Sequence, residues 1–339
     1  MNFFRLRRTK MLDDAVLDHK PQNLLIVFLV FYLVYFIGNL LSAAITSIPT
    51  IVWVLNYEGL FDAIKQYTDA TIAGDAEAIV SLESFVYDML LNMPSWLIAV
   101  SLFASLSFIV ASIFYCKKFE KRPLSSLGIR KKDVLKEYGI GSLIGAVMLG
   151  LSFLIAFLFG GVSISLNPDG VSPMITLFFI AFVIQGAGEE ILFRGYFMMS
   201  IARDYKTGIA IATSSVMFSL IHSGNSGYGI LPFINILLFG IFIGVYVFKR
   251  GDIWGACAIH TLWNFAQGCI IGSSVSGINQ IPSVFIMKAK ENMDLANGGQ
   301  FGLEASVATT IVLLTAVSLV FLLKTKKGEE SLSDAVFFE

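Results

Sequence analysis

The sequence predicts an all-α, polytopic membrane protein of about eight transmembrane helices. Three observations carry this. Of 339 residues, 56% are hydrophobic and 14% charged, with a mean hydropathy of +0.75, more apolar surface than a soluble core needs. The apolar residues form repeated runs near the ~20 that span a hydrocarbon core, without the strand alternation of a barrel. The charges lie mostly between the runs and segregate by sign.

In order, the expected spans are 23–48, 96–115, 138–160, 172–199, 208–222, 230–248, 253–272 and 304–323. The fifth has the shortest apolar stretch. Lysine and arginine placement sets orientation. One side receives Arg5, Arg7, Arg8 and Lys10, then Lys117, Lys118, Lys121, Arg122, Arg130, Lys131, Lys132 and Lys136 in the 116–137 loop. The same side receives Arg203, Lys206, Lys249, Arg250, Lys324, Lys326 and Lys327. The opposite loop, 56–95, sets Glu58, Asp62, Asp69, Asp75, Glu77, Glu83 and Asp88 against Lys65 alone. Every even number of crossings returns to the basic side, so both termini are expected in the cytoplasm.

This gives a cytoplasmic segment 1–22, two spans within 23–115 flanking the acidic outer segment 56–95, a core at 116–272, an outer loop 273–303, a last span 304–323 and a cytoplasmic tail 324–339. In the outer segment Leu82, Phe85, Val86, Met89 and Leu90 recur at helical spacing, as in an interfacial helix or one packed on the bundle. The 116–137 loop reads as an orientation signal, and 223–229 as a flexible turn. A net charge of −1 leaves no nucleic-acid footprint. Cys116, Cys257 and Cys269 give no disulfide framework; the last two stand roughly 18 Å apart along one predicted helix. No transporter-like internal repeat is evident.

Against this background GAGEEILFRG, 186–195, is anomalous, because it puts two glutamates and an arginine inside an apolar run. An ionisable group in a span costs several kcal/mol unless paired or wetted, and is a functional candidate by default. Glu190 and Arg194 have the favourable i, i+4 ion-pair spacing. Glu189, about 100° away around the helix, is left without a cation and is a candidate general base. Three histidines exist: His19 near the N-terminus, His222 ending the fifth run, and His260 in the seventh with Asn264 one turn on. Measured from the basic anchors, Glu189, His222, His260 and Asn264 lie at overlapping depths of roughly 15–24 Å. A lone membrane histidine is more often a helix–helix hydrogen bond than a catalyst; the set at matching depth points to chemistry.

Glu189-Glu190-x-x-x-Arg194, Phe218-x-x-x-His222 and His260-x-x-x-Asn264 match EExxxR, FxxxH and HxxxN in order. With these motifs the region of about 120–272 resembles the CAAX-protease and bacteriocin-processing (CPBP, also called Abi) family of membrane proteases. The resemblance implies a helical-bundle protease core at 116–272 and an intramembrane endopeptidase acting on membrane-embedded or membrane-anchored peptides, in a bacterial cell membrane. It implies that Glu189 and His222 activate water and that His260 and Asn264 hold the oxyanion, with Glu190, Arg194 and Phe218 in support. No cofactor is expected. The alternative is a zinc enzyme liganded by Glu189, His222 and His260, although HExxH is absent and Glu190 would then be the only nearby base. A serine peptidase through Ser226 in GNSG leaves the carboxylates unexplained. A non-catalytic immunity or regulatory protein for peptide toxins is the alternative from another class.

Overall fold

A computed structural model describes residues 9–17, 20–74, 84–90 and 92–322. Arg5, Arg7, Arg8, His19, Asp75, Glu77, Leu82, Glu83 and the tail lysines lie outside the described residues. The chain is mostly helical: α1 Lys10–Val16, α2 Leu24–Leu55, α3 Leu60–Ala73, α4 Ser95–Lys118, α5 Val134–Leu158, α6 Met174–Ala202, α7 Thr207–Leu220, α8 Ile230–Arg250, α9 Trp254–Phe265 and α10 Val307–Leu322. Five of these, α2, α4, α5, α6 and α8, are long and apolar enough to cross a membrane, so the protein is integral to one. Residues 84–90 are helical as the spacing of Phe85 to Leu90 implies; Met89 is buried while Val86 and Leu90 are exposed.

The expectation of eight full spans is borne out for five. Each expected run lies on a helix, but α7 and α10 are shorter apolar helices of 14 and 16 residues. At 1.5 Å per residue α7 reaches roughly 21 Å, short of a ~30 Å core, while α10 runs to Leu322, the last described residue. The seventh run, α9 with its π-helical extension Ala266–Ile271, carries His260, Asn264 and Gln267 and is not among the five. The last helix starts at Val307 rather than 304, where the Ser306 hydroxyl accepts the Thr309 N–H at 3.1 Å as an N-cap.

The all-α expectation is also corrected, by one small ribbon. β1 Val162–Leu166 pairs antiparallel with β2 Phe285–Ala289, Val162 opposite Ala289 and Leu166 opposite Phe285. Val-Ser-Ile-Ser-Leu does alternate, but over too few residues to stand out beside the long runs. The ribbon ties the loop after α5 to the loop after α9, and buried Asn297 reinforces it by donating to the carbonyls of Gly161 and Lys290.

Helices close where side chains are absent. Gly141 and Gly145 sit four apart on α5, and a Cβ at either would come within 2.2 Å of the Gly255 carbonyl or 2.4 Å of the Ile259 carbonyl of α9. Small residues at this spacing let backbones meet where lipid supplies no hydrophobic drive. Gly141→Val is expected to lower stability by about 3 kcal/mol, the upper end of overpacking costs. An unchanged thermal unfolding midpoint of the detergent-solubilised variant would refute the contact.

The 116–137 loop ties helix ends together. Arg122 is buried and donates to Glu120, to Ser126 and to Ser200 of α6. Glu120 also takes Arg203 at 2.6 Å, and Glu137 takes Arg250 at 2.8 Å, so the basic loop is bolted to the ends of α6 and α8.

Candidate active site

The site is built on α6, which departs from α geometry directly after the paired glutamates. Ile191–Met198 is π-helical, a wider turn that recurs at functional positions. Gly188 faces Ser105, where α4 is broken; a Cβ there would stand 2.6 Å from the Ser105 carbonyl. Gly186 meets Thr261 of α9 in the same way, at 3.0 Å. The small residues of GAGEE thus bring α6 against α4 and α9 at the depth of its carboxylates.

Glu190 is fully buried, and Arg194 Nη1 donates to its Oε1 at 3.1 Å, the pairing that the spacing predicts. The same oxygen takes His260 Nδ1 at 2.8 Å. Glu189 approaches the other edge of that ring, with its Oε2 3.7 Å from His260 Nε2. The two glutamates therefore do reach one partner, because an imidazole carries a nitrogen on each edge. The Arg194 guanidinium also lies 4.2 Å above the Phe218 ring, which packs edge-on against both His222 and His260. Phe239 of α8 closes the other side of His260.

A second chain runs through amides. Asn264 Nδ2 donates to Gln185 Oε1 at 3.0 Å, and Gln185 Nε2 donates to Glu189 Oε1 at 2.6 Å. Gln185 was missed from the sequence. Its signal was present: a lone amide in an apolar run, one turn before Glu189.

His222 stands apart from Glu189, and no hydrogen bond or ion pair joins them among the described residues. Its Nδ1 is 2.7 Å from the Phe218 carbonyl. A carbonyl only accepts, so Nδ1 carries the proton and Nε2 keeps its lone pair. By the same logic His260 donates from Nδ1 to Glu190, leaving Nε2 to face Glu189. Glu189 Oε2, Glu190 Oε2 and Arg194 Nε and Nη2 are buried without a protein hydrogen bond, and buried polar atoms of this kind are completed by water or substrate.

The donor set does not fit the zinc alternative as arranged. Among the described residues no three His, Cys, Asp or Glu side chains group closely enough to hold a metal ion. Both nitrogens of His260 face carboxylates, and Glu189 is bonded to Gln185. Ser226 is exposed, with its hydroxyl on Gln300, and the three cysteines are buried and free.

Fold and site together define an integral membrane protein with a charged, two-histidine centre inside its helical bundle. Residues 171–266 match the family model described as type II CAAX prenyl endopeptidase Rce1-like, and the chain carries a domain of that CPBP/Abi family there. The stretch is under a third of the chain and holds Glu189, Glu190, Arg194, Phe218, His222, His260 and Asn264. Such a domain implies an intramembrane protease. No curated protein and no solved structure matches the chain.

Proposed function

We propose that the protein is an intramembrane endopeptidase that hydrolyses peptide bonds of membrane-embedded or membrane-anchored substrates with an activated water. Glu189, assisted by the free Nε2 of His222, deprotonates the water. The oxygen attacks the peptide carbonyl carbon, and the proton returns to the leaving amine nitrogen as the C–N bond breaks. His260 in its imidazolium form, with Nδ1–H held by Glu190, presents Nε2–H to the oxyanion. Asn264 presents its second amide hydrogen, since the first is held by Gln185. Preorganised donors of this kind are typically the largest contribution to acyl-transfer catalysis. The observation that carries the reading is the His260 ring held between two carboxylates from a neighbouring helix, one of them linked through Gln185 to Asn264.

With the basic loops in the cytoplasm, as the charge distribution favours, the site lies in the outer half of the membrane beneath the 273–306 loop. Substrate would then enter from the outer leaflet. The test compares peptides released from membranes holding the wild type and Glu189→Gln. Identical peptide sets would end the proposal. A non-catalytic immunity protein predicts equal complementation by both.

The mechanism uses no metal. Chelators that strip zinc are expected to leave peptide release within about twofold of the untreated rate, well inside what loss of a catalytic metal would cost. Abolition by chelator together with stoichiometric bound zinc would overturn the metal-free mechanism.

A further inference from the structure

The proteolytic reading leaves one carboxylate unused. A cavity of about 30 Å³ is bordered by His222, His260, Asn264, Ser276 and Glu304 among others, space for about one or two waters. Glu304 lies in the 3₁₀ turn Leu303–Ala305, outside the matched stretch 171–266. It is held there from two sides. Asn235 of α8, itself buried, donates to the carbonyls of Glu304 and Ser306 at 2.8 and 2.9 Å. The Ser276 backbone N–H and hydroxyl both donate to Glu304 Oε1, the hydroxyl at 2.9 Å. Both bonds fall on one oxygen.

The ionisable groups bordering this cavity are His222, His260 and Glu304. Glu189 and Glu190 do not border it; they are engaged by Gln185, Arg194 and His260 on the α6 side. An imidazolium at His222 would therefore share this cavity with one carboxylate, Glu304, and with His260.

We propose that Glu304 is a positioning residue for His222: across the cavity they share, its carboxylate balances the charge the ring acquires as it shares the proton of the attacking water. This rests on the proteolytic reading above. The proton leaves the water O–H bond for Glu189, with Nε2 of His222 sharing it, and passes to the amine nitrogen when the C–N bond breaks. Glu304 stays ionised and exchanges no proton.

The test uses the full chain in lipid nanodiscs with ¹⁵N-labelled histidine. The chain has three histidines, so His222→Asn and His260→Asn assign the imidazole signals. The activity probe is an internally quenched farnesylated CAAX-box peptide. Glu304→Gln keeps an oxygen acceptor for Ser276 and removes only the charge; Glu304→Ala removes both. Glu304→Gln is expected to move the His222 imidazole ¹⁵N signals and to cut kcat about tenfold, with KM unchanged and the His19 signals unmoved. Unmoved His222 signals in Glu304→Gln overturn the proposal. So does a loss of activity confined to Glu304→Ala, which would make Glu304 only a loop anchor. Failure of the proteolytic reading looks different: the wild type and Glu189→Gln leave the peptide equally intact, while Glu304→Gln still shifts His222.

Discussion

Glu189→Gln yields a folded protein whose peptide hydrolysis has fallen by about 10³-fold, within the range of lost general-base catalysis. The substitution keeps shape and a hydrogen-bonding partner for Gln185, which sits 2.6 Å away. It removes the negative charge that accepts a proton from water. Because Glu189 is also 3.7 Å from His260 Nε2, the charge on that ring loses one of its two anions. The measurement is the rate of release of wild-type-specific peptides from membranes, with thermal unfolding as the control for folding. Full activity in Glu189→Gln would remove the carboxylate from the mechanism, whatever its position.

Glu190→Ala has the largest expected effect on stability. It strips the anion from a fully buried Arg194 and from His260 Nδ1 together. Removing one partner of a buried pair costs about 3–5 kcal/mol, because the remaining charge is left without compensation. The Glu190→Leu/Arg194→Met double variant replaces the pair with apolar side chains of similar length, and such replacements are often close to neutral. It is expected to recover most of the stability and none of the activity, since His260 has then lost the acceptor that orients it. Thermal unfolding of the single and double variants decides this. A Glu190→Ala protein as stable as the wild type would show that the ion pair carries no structural load.

Much of this was legible because ionisable groups are rare inside apolar runs. Glu189, Glu190, Arg194 and the two histidines stand out against leucine and phenylalanine, and a 1.5 Å rise is enough to compare their depths. The Glu190–Arg194 pair follows from i, i+4 spacing and is present at 3.1 Å. Other parts left weaker traces. A π segment shows in hydrogen bonding rather than in residue type, so Ile191–Met198 reads as ordinary helix. The sharing of His260 by both glutamates depends on how a partner helix inserts a two-edged ring, which the 100° rule for one helix cannot show. Gln185 is readable, as a lone amide one turn before Glu189. Position 304 reads as the first residue of a span, because an acid before an apolar run looks like a helix start. The Ser306 cap moved that start to Val307.

The loop held by Asn235 and Ser276 has a consequence for how the molecule can be divided. Every motif residue falls within 171–266, the stretch that matches the family model. Its surroundings come from elsewhere: Gly141 and Gly145 set how near α9 lies to α5, and Ser276, Glu304 and Thr309 form part of the wall around the histidines. A fragment trimmed to 171–266 would carry the reactive groups but none of these supports. What is recognised as one inherited module is therefore smaller than the smallest piece of this chain that can assemble the centre.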